Sequence, residues 1–191
     1  NYTRIDGFLV LSLSKKADFK MDYYNNDGSW ETMCANGARC AAIYMYEQKL
    51  VNKKKMKIET GDGRYDAEIL TKNLVRISMN TPKYKSRCIK ISDIEGYHID
   101  SGAAHFVANY GGISTTKVKK IGRLIRKNKI FKPRGINVNF YEVLNNQKIK
   151  VKTYEKGIED VVHSCGTGSL ACVYHLSQTK QIVSPTTILV K

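Results

Sequence analysis

The chain has 191 residues, 42% of them hydrophobic, which is enough to bury a core in one large or two small domains. No apolar run reaches the length of a membrane-spanning helix, no signal peptide precedes Asn1-Tyr2-Thr3-Arg4, and five cysteines are an odd number that argues against a complete disulfide framework. The expectation is a cytoplasmic protein with reduced thiols and no membrane partner, while a net charge of +15 keeps a basic nucleic-acid-binding protein as the competing class.

Residues 8–13 read as a buried strand and residues 18–24 as a half-buried one. The turn sequence Asn25-Asn26-Asp27-Gly28 then leads to Cys34-Ala35-Asn36-Gly37 and a helix expected over 38–48. Strands follow near 56–59, 65–70 and 74–79, with Gly61-Asp62-Gly63 as a hairpin turn, and 80–97, which contains Pro82, reads as a loose connector. Beyond it come a strand at 105–109, a basic helix within 117–127, strands at 136–143 and 149–154, a helix at 169–177 and a last strand at 187–190. In the basic helix Val118, Ile121, Leu124 and Ile125 recur at helical spacing, so its lysines and arginines read as a solvated face. With no zinc-finger, RRM or helix-turn-helix signature beside it, no specific nucleic acid is expected, although an acidic substrate would be drawn to such a surface.

The most informative feature is a repeat. Tyr24-Asn25-Asn26-Asp27-Gly28 leads to Cys34-Ala35-Asn36-Gly37, and Tyr154-Glu155-Lys156-Gly157 leads to Cys165-Gly166-Thr167-Gly168. Each half thus carries one cysteine at the mouth of one helix, which divides the chain into repeat domains at 1–90 and 91–191. The first copy is followed by three strands and the second by one, so residues are expected to be missing at both ends.

A cysteine at a helix N-terminus sits beside unpaired N–H groups and the positive end of the macrodipole, which favours thiolate. The small residues after it open the same N–H groups to a carboxylate. Two such helix ends on one α-carboxylate would leave the α-carbon between two sulfurs, one removing a proton and the other returning one to the opposite face. This is racemase or epimerase chemistry by two bases, with Cys34 and Cys165 as the pair. The spacings of Cys34 with Cys40 and of Cys165 with Cys172 do not match short zinc pairs, no nucleotide fingerprint is present, and no metal or cofactor is expected. Cys40 and Cys172 read as buried packing thiols, and Cys88 as incidental.

These residues, with Gly102-Ala103-Ala104-His105-Phe106-Val107, Gly135-Ile136-Asn137-Val138-Asn139-Phe140 and the start of a strand at Asp6-Gly7-Phe8, resemble the diaminopimelate epimerase family over almost the whole chain. The resemblance implies an α+β fold of two pseudo-symmetric domains, each a β-barrel-like sheet around a central helix, with the active site in the cleft between them. It also implies a cofactor-independent isomerase that interconverts LL- and meso-diaminopimelate for lysine and cell-wall synthesis, and it is compatible with a homodimer. By the same resemblance Cys34 and Cys165 are the acid/base thiols, and Ala35, Asn36, Gly166 and Thr167 hold the reacting carboxylate. Asn25, Asn137, Glu155 and Lys156 hold the distal amino-acid end, while His105 and Glu155 tune the thiols. The chain departs from the family pattern at Ala35, at Ala103-Ala104 and at Lys156, where glycine, Asn-Pro and arginine are usual. The last two departures bear on the distal carboxylate, because an ammonium lacks the guanidinium fork. An isomerase of another amino acid on the same fold therefore stands as the alternative.

Overall fold

The computed structural model describes residues 5, 7–26 and 28–190; Asp6 and Asp27 of the sequence motifs lie outside the described residues. The architecture is α+β and separates into two compact units, Asn1–Asn80 and Thr81–Lys191.

In the first unit, β1 (Gly7–Ser12), β2 (Phe19–Asn25), β4 (Lys55–Thr60), β5 (Gly63–Thr71) and β6 (Leu74–Ile77) lie in that order across one sheet, with the two-residue β3 (Trp30–Glu31) beside β2. Among the described residues the parallel pairing of this unit, β2 with β4, is bridged by helix α1 (Ala35–Glu47), since parallel neighbours need a crossover. Helix α1 packs on β1, β2, β5 and β6, so strands at both edges of the sheet reach the same helix and the sheet curls around it. Ala38, Ala41, Ala42 and Met45 recur at helical spacing on its buried face, and the alanines let it approach Phe19, Met21, Ile58 and Tyr65 closely. Strand β1 is not buried as expected. Its side chains alternate, with Leu9 and Leu11 against the core and Phe8 and Val10 half exposed.

In the second unit the order is β13 (Asp160–Val162), β12 (Lys148–Glu155), β11 (Asn137–Asn145), β10 (Ala104–Asn109), β9 (Ile94–Asp100) and β7 (Lys83–Tyr84). Strand β8 (Ile89–Ile91) joins β9, and β14 (Thr187–Leu189) joins β12. Half of the connector read as loose is thus strand. Its short pieces gain their identity by pairing with β9, and Gly96 within β9 is required because a Cβ there would come 2.5 Å from the Phe106 ring.

Helix α2 (Thr115–Arg126) crosses over between the parallel strands β10 and β11 and covers one face of the sheet; helix α3 (Gly166–Gln178) covers the other. Strand alternation sorts the two cores. Phe106, Val138, Phe140 and Tyr154 meet Val118 and Ile125 of α2, whereas Val107, Tyr141, Ile149 and Val151 meet Ala171, Cys172 and Leu176 of α3. Leu124, expected on the buried face of α2, is 51% exposed instead. Gly122 is the residue that lets α2 sit down, since a Cβ there would lie 2.5 Å from that of Tyr154. Among the described residues no helix is long and apolar enough to cross a membrane.

Candidate active site

Each motif cysteine is the N-cap of its helix. Cys34 has φ −126° and ψ 105°, and Cys165 has φ −126° and ψ 110°, so the two copies place their sulfurs on nearly identical backbone. The carbonyls of Cys34 and Cys165 accept the first helical bonds, from Ala38 N–H and Ser169 N–H at 2.9 Å each. Both helices begin earlier than expected because these extended caps let Ala35 and Gly166 enter the first turn.

In the first unit, the half-buried Cys34 accepts a hydrogen bond at its Sγ from Gly37 N–H at 3.4 Å, the arrangement that best suits a sulfur carrying negative charge at a helix end. Ala35 is buried, and the Asn36 side-chain oxygen accepts from Arg39. Asn25 closes β2 with its amide 4% exposed, donating to Ser29 Oγ at 3.0 Å and toward Glu31 Oε1 at 3.5 Å.

In the second unit a buried polar chain converges on Cys165. Its sulfur lies 3.5 Å from Thr167 Oγ1, which is 2.9 Å from His105 Nε2; His105 Nδ1 is in turn 2.9 Å from Asn139 Nδ2, and Asn139 Oδ1 accepts from Thr153 Oγ1 at 2.8 Å. Ser101 Oγ donates to the carbonyl of Thr167 at 2.8 Å, holding the first turn of α3 against the sheet. Gly168 allows this junction, because a Cβ there would come within 2.1 Å of Asn139 Oδ1. Asn137 donates to the Ala104 carbonyl at 3.2 Å and accepts from Lys156 N–H at 2.9 Å, so its amide ties β10 to the turn after β12.

Burial dominates the electrostatics here. It pushes the Cys165 thiol up to about 12; the neighbouring Glu155 carboxylate adds to that, and the Thr167 hydroxyl and Gly168 N–H act against it. The helix end is thus outweighed, and the resting form of Cys165 is the thiol rather than the thiolate expected from its position. His105 is held down at about 3 by burial, with Asp100 opposing and His98 and Lys156 assisting, so it is a neutral imidazole. Cys172 is fully buried and its thiol is pushed up strongly by desolvation, as a packing residue should be. Cys40 is exposed on α1, contrary to expectation, because the buried alanines occupy the other face of that helix. None of the five cysteines is in a disulfide, and among the described residues no group of His, Cys, Asp and Glu could hold a metal ion.

The second unit thus brings together Cys165, Gly166, Thr167, His105 and Glu155, with Asn137 and Lys156 joined at one turn; the first unit holds Cys34, Ala35 and Asn36 at one helix mouth and Asn25 at the end of β2. Asn139, Thr153 and Ser101 were given no role from the sequence, and Gly168 was read only as one of the small residues that open the helix N–H groups. One signal was present: Asn137 and Asn139, two apart at the start of β11, point to the same face. On the basic helix, Lys119 pairs with Asp160 and Arg126 with Glu159, so part of its charge is answered within the unit.

The diaminopimelate epimerase family model matches residues 2–85 and 97–191. The diaminopimelate epimerase of Aquifex aeolicus is 36% identical over 173 residues, covering 87% of this chain and 62% of that protein. That of Chlorobaculum tepidum is 34% identical over 167 residues, covering 87% and 65%. Among solved structures, a hydroxyproline epimerase from Agrobacterium vitis superposes with a TM-score of 0.77 at 15% identity, over 97% of this chain and 63% of that one. A probable proline racemase from Agrobacterium radiobacter superposes with a TM-score of 0.76 at 16% identity, over 96% and 64%, a likeness of fold. The chain spans less than two thirds of the length of each of these proteins.

Proposed function

The chain belongs to the diaminopimelate epimerase family, and from that premise we propose that it supplies the two-thiol centre of a cofactor-independent isomerase interconverting LL- and meso-diaminopimelate, a step toward lysine and cell-wall precursors. The observation that carries this reading is the pair of cysteines capping two helices with matching backbone, one of them wired to Glu155 and Thr167.

Cys34, as thiolate, takes the α-proton. The C–H electron pair is delocalised toward the α-carboxylate, whose growing charge is met by the N–H groups at the starts of α1 and α3, around Ala35, Asn36, Gly166 and Thr167. Cys165, resting as a thiol, delivers its proton to the opposite face, so the centre inverts and one S–H is exchanged for another. Glu155 keeps that proton on Cys165 until it is needed. Asn25, Asn137, Glu155 and Lys156 hold the distal end of the substrate. Such thiols function in the reducing cytoplasm, and a homodimer is compatible with the role.

A second reading is favoured by one observation: Lys156 offers a point charge for a distal carboxylate, without the guanidinium fork. An isomerase of another amino acid would use the same thiols. Incubating the full chain in heavy water with LL-diaminopimelate, lysine, glutamate and hydroxyproline tests both. The first reading expects deuterium at the α-carbon of diaminopimelate foremost. Faster exchange in an amino acid without a distal carboxylate selects the second, and no exchange in any of them refutes both.

A further inference from the structure

Among the buried side chains, Asn139 and Thr153 form a bonded pair that no step of the proposed reaction uses. Both sit on the α3 face of the sheet, 0% and 3% exposed, next to His105, which is 0% exposed. Their hydrogen bonds have a direction that can be worked out from the end. The Thr153 hydroxyl donates to Asn139 Oδ1, which turns the amide nitrogen the other way, toward His105 Nδ1 and the Phe106 carbonyl. An amide nitrogen can only donate, so Nδ1 must accept. A neutral imidazole that accepts at Nδ1 carries its proton on Nε2, and that N–H points at Thr167 Oγ1, 2.9 Å away. With its oxygen already accepting, the Thr167 hydroxyl has its own hydrogen to give, and the Cys165 sulfur is 3.5 Å from it.

We infer that Asn139 and Thr153 are positioning residues that lock His105 in its Nε2–H tautomer, so that Thr167 donates to the Cys165 sulfur and stabilises the thiolate formed when that cysteine has given up its proton. This rests on the proposed role of Cys165. His105 then works as a neutral donor at the middle of a one-way line, and burial keeps it from taking up a proton in the working pH range. Other groups face the same two side chains and set the background. Glu155 of β12 bears on Cys165, which in turn bears on Cys172 of α3, and Asp100 and His98 of β9, together with Lys156, bear on His105. The Asn139–Thr153 bond runs between the side chains of those two residues, which makes it separable by mutation.

Thr153→Val deletes the hydroxyl while keeping the side chain's shape; the Asn139 amide loses the bond that fixes its orientation, and His105 can take either tautomer. Thr153→Ser keeps the donor and serves as the rescue. Two measurements on the full chain need no substrate: the tautomer of His105 from the nitrogen shifts of its labelled imidazole, and the alkylation rate of Cys165 by iodoacetamide across pH, read by mass spectrometry of its peptide. One hydrogen bond to a charged sulfur changes its acidity by about one pH unit, so Thr153→Val should slow alkylation roughly tenfold below the thiol pKa. Thr153→Ser should react as wild type does, and in a Thr167→Val background the Thr153→Val change should add nothing. A wild-type His105 with its proton on Nδ1 refutes the inference, as does an unchanged alkylation rate in Thr153→Val or a full tenfold loss that persists in Thr153→Ser. Failure of α-proton exchange in the full chain would overturn the proposed reaction and leave these two readouts intact.

Discussion

Gly168→Ala should destabilise the second unit, although the same exchange on an open helix surface would stabilise it. The usual gain from replacing a helical glycine with alanine is about 1 kcal/mol. Here the new Cβ would stand 2.1 Å from Asn139 Oδ1 and 3.3 Å from His105 Cε1. Restoring an ordinary van der Waals separation requires the Asn139 amide to move by more than about 1 Å. That displacement breaks its 2.8 Å bond from Thr153 or its 2.9 Å bond to His105. Each loss removes roughly 1 kcal/mol, and leaving a buried polar group unpaired adds roughly 1–3 kcal/mol. After subtracting the helix gain, the net loss is about 1–3 kcal/mol. Gly37→Ala is the internal comparison, because the one tight contact of its Cβ would be the tip of Leu9, 2.8 Å away, which can rotate aside, while Cys34 Cβ and Sγ stand at an ordinary 3.5 Å. Urea unfolding followed by far-UV circular dichroism should move the transition down for Gly168→Ala and much less for Gly37→Ala. A Gly168→Ala protein more stable than wild type would refute the reasoning, since the packing of Asn139 against α3 would then carry no constraint.

Acid should test His105: its pKa falls from the usual 6.5 to about 3 on folding, so stability is complete above about pH 6.5 and declines toward pH 3, by at most about 1.4 kcal/mol per pH unit from this group. His105→Gln should flatten that limb in urea titrations at stepped pH, and a wild-type profile already level through the window would contradict the burial argument. Cys34→Ser and Cys165→Ser should each abolish most α-proton exchange with the circular dichroism spectrum unchanged, because a serine hydroxyl hardly ionises near neutral pH; Cys88→Ser, an exposed thiol, should exchange at the wild-type rate. Gly122→Ala should lower stability by about 1–3 kcal/mol through overpacking against Tyr154, measured by thermal unfolding, and an unchanged midpoint would mean that α2 can shift without loss. Lys156→Arg should lower KM for diaminopimelate with kcat nearly unchanged, as restored distal binding requires; an effect on kcat alone would place Lys156 with the chemistry.

What could be read from the chain followed the physics of each segment. Strands β4, β5 and β12 alternate clearly, and α3 follows a cysteine and small residues that announce a helix start. Strands β3, β7, β8 and β13 have only two or three residues each, too few for any period to register, and they exist because a neighbouring strand supplies the hydrogen bonds. His105 was singled out through its motif and Asn139 had one cue in its spacing from Asn137, but Thr153 was hidden, since nothing local distinguishes a polar strand residue that is buried in a network from one facing water. The resting state of Cys165 was also out of reach. Helix position argues for thiolate and burial argues for thiol, and only the packing of α3 against the sheet decides which is larger.

The matched caps with unmatched surroundings have a kinetic meaning. An enzyme that inverts a centre with two thiols finishes each turnover with its proton on the other sulfur, so the free enzyme alternates between two forms and must be reset through solvent. Identical cap backbones alone would leave those forms degenerate. Burial and Glu155 drive Cys165 toward its protonated state, and in the proposed scheme, where Cys34 rests as the thiolate, this lifts the degeneracy and makes the form with Cys165 ionised the higher one. The direction of catalysis that leaves Cys165 ionised then resets downhill, whereas the direction that leaves it protonated must climb back to the higher form before its next turnover, so at saturating substrate any limit set by the reset falls on that second direction.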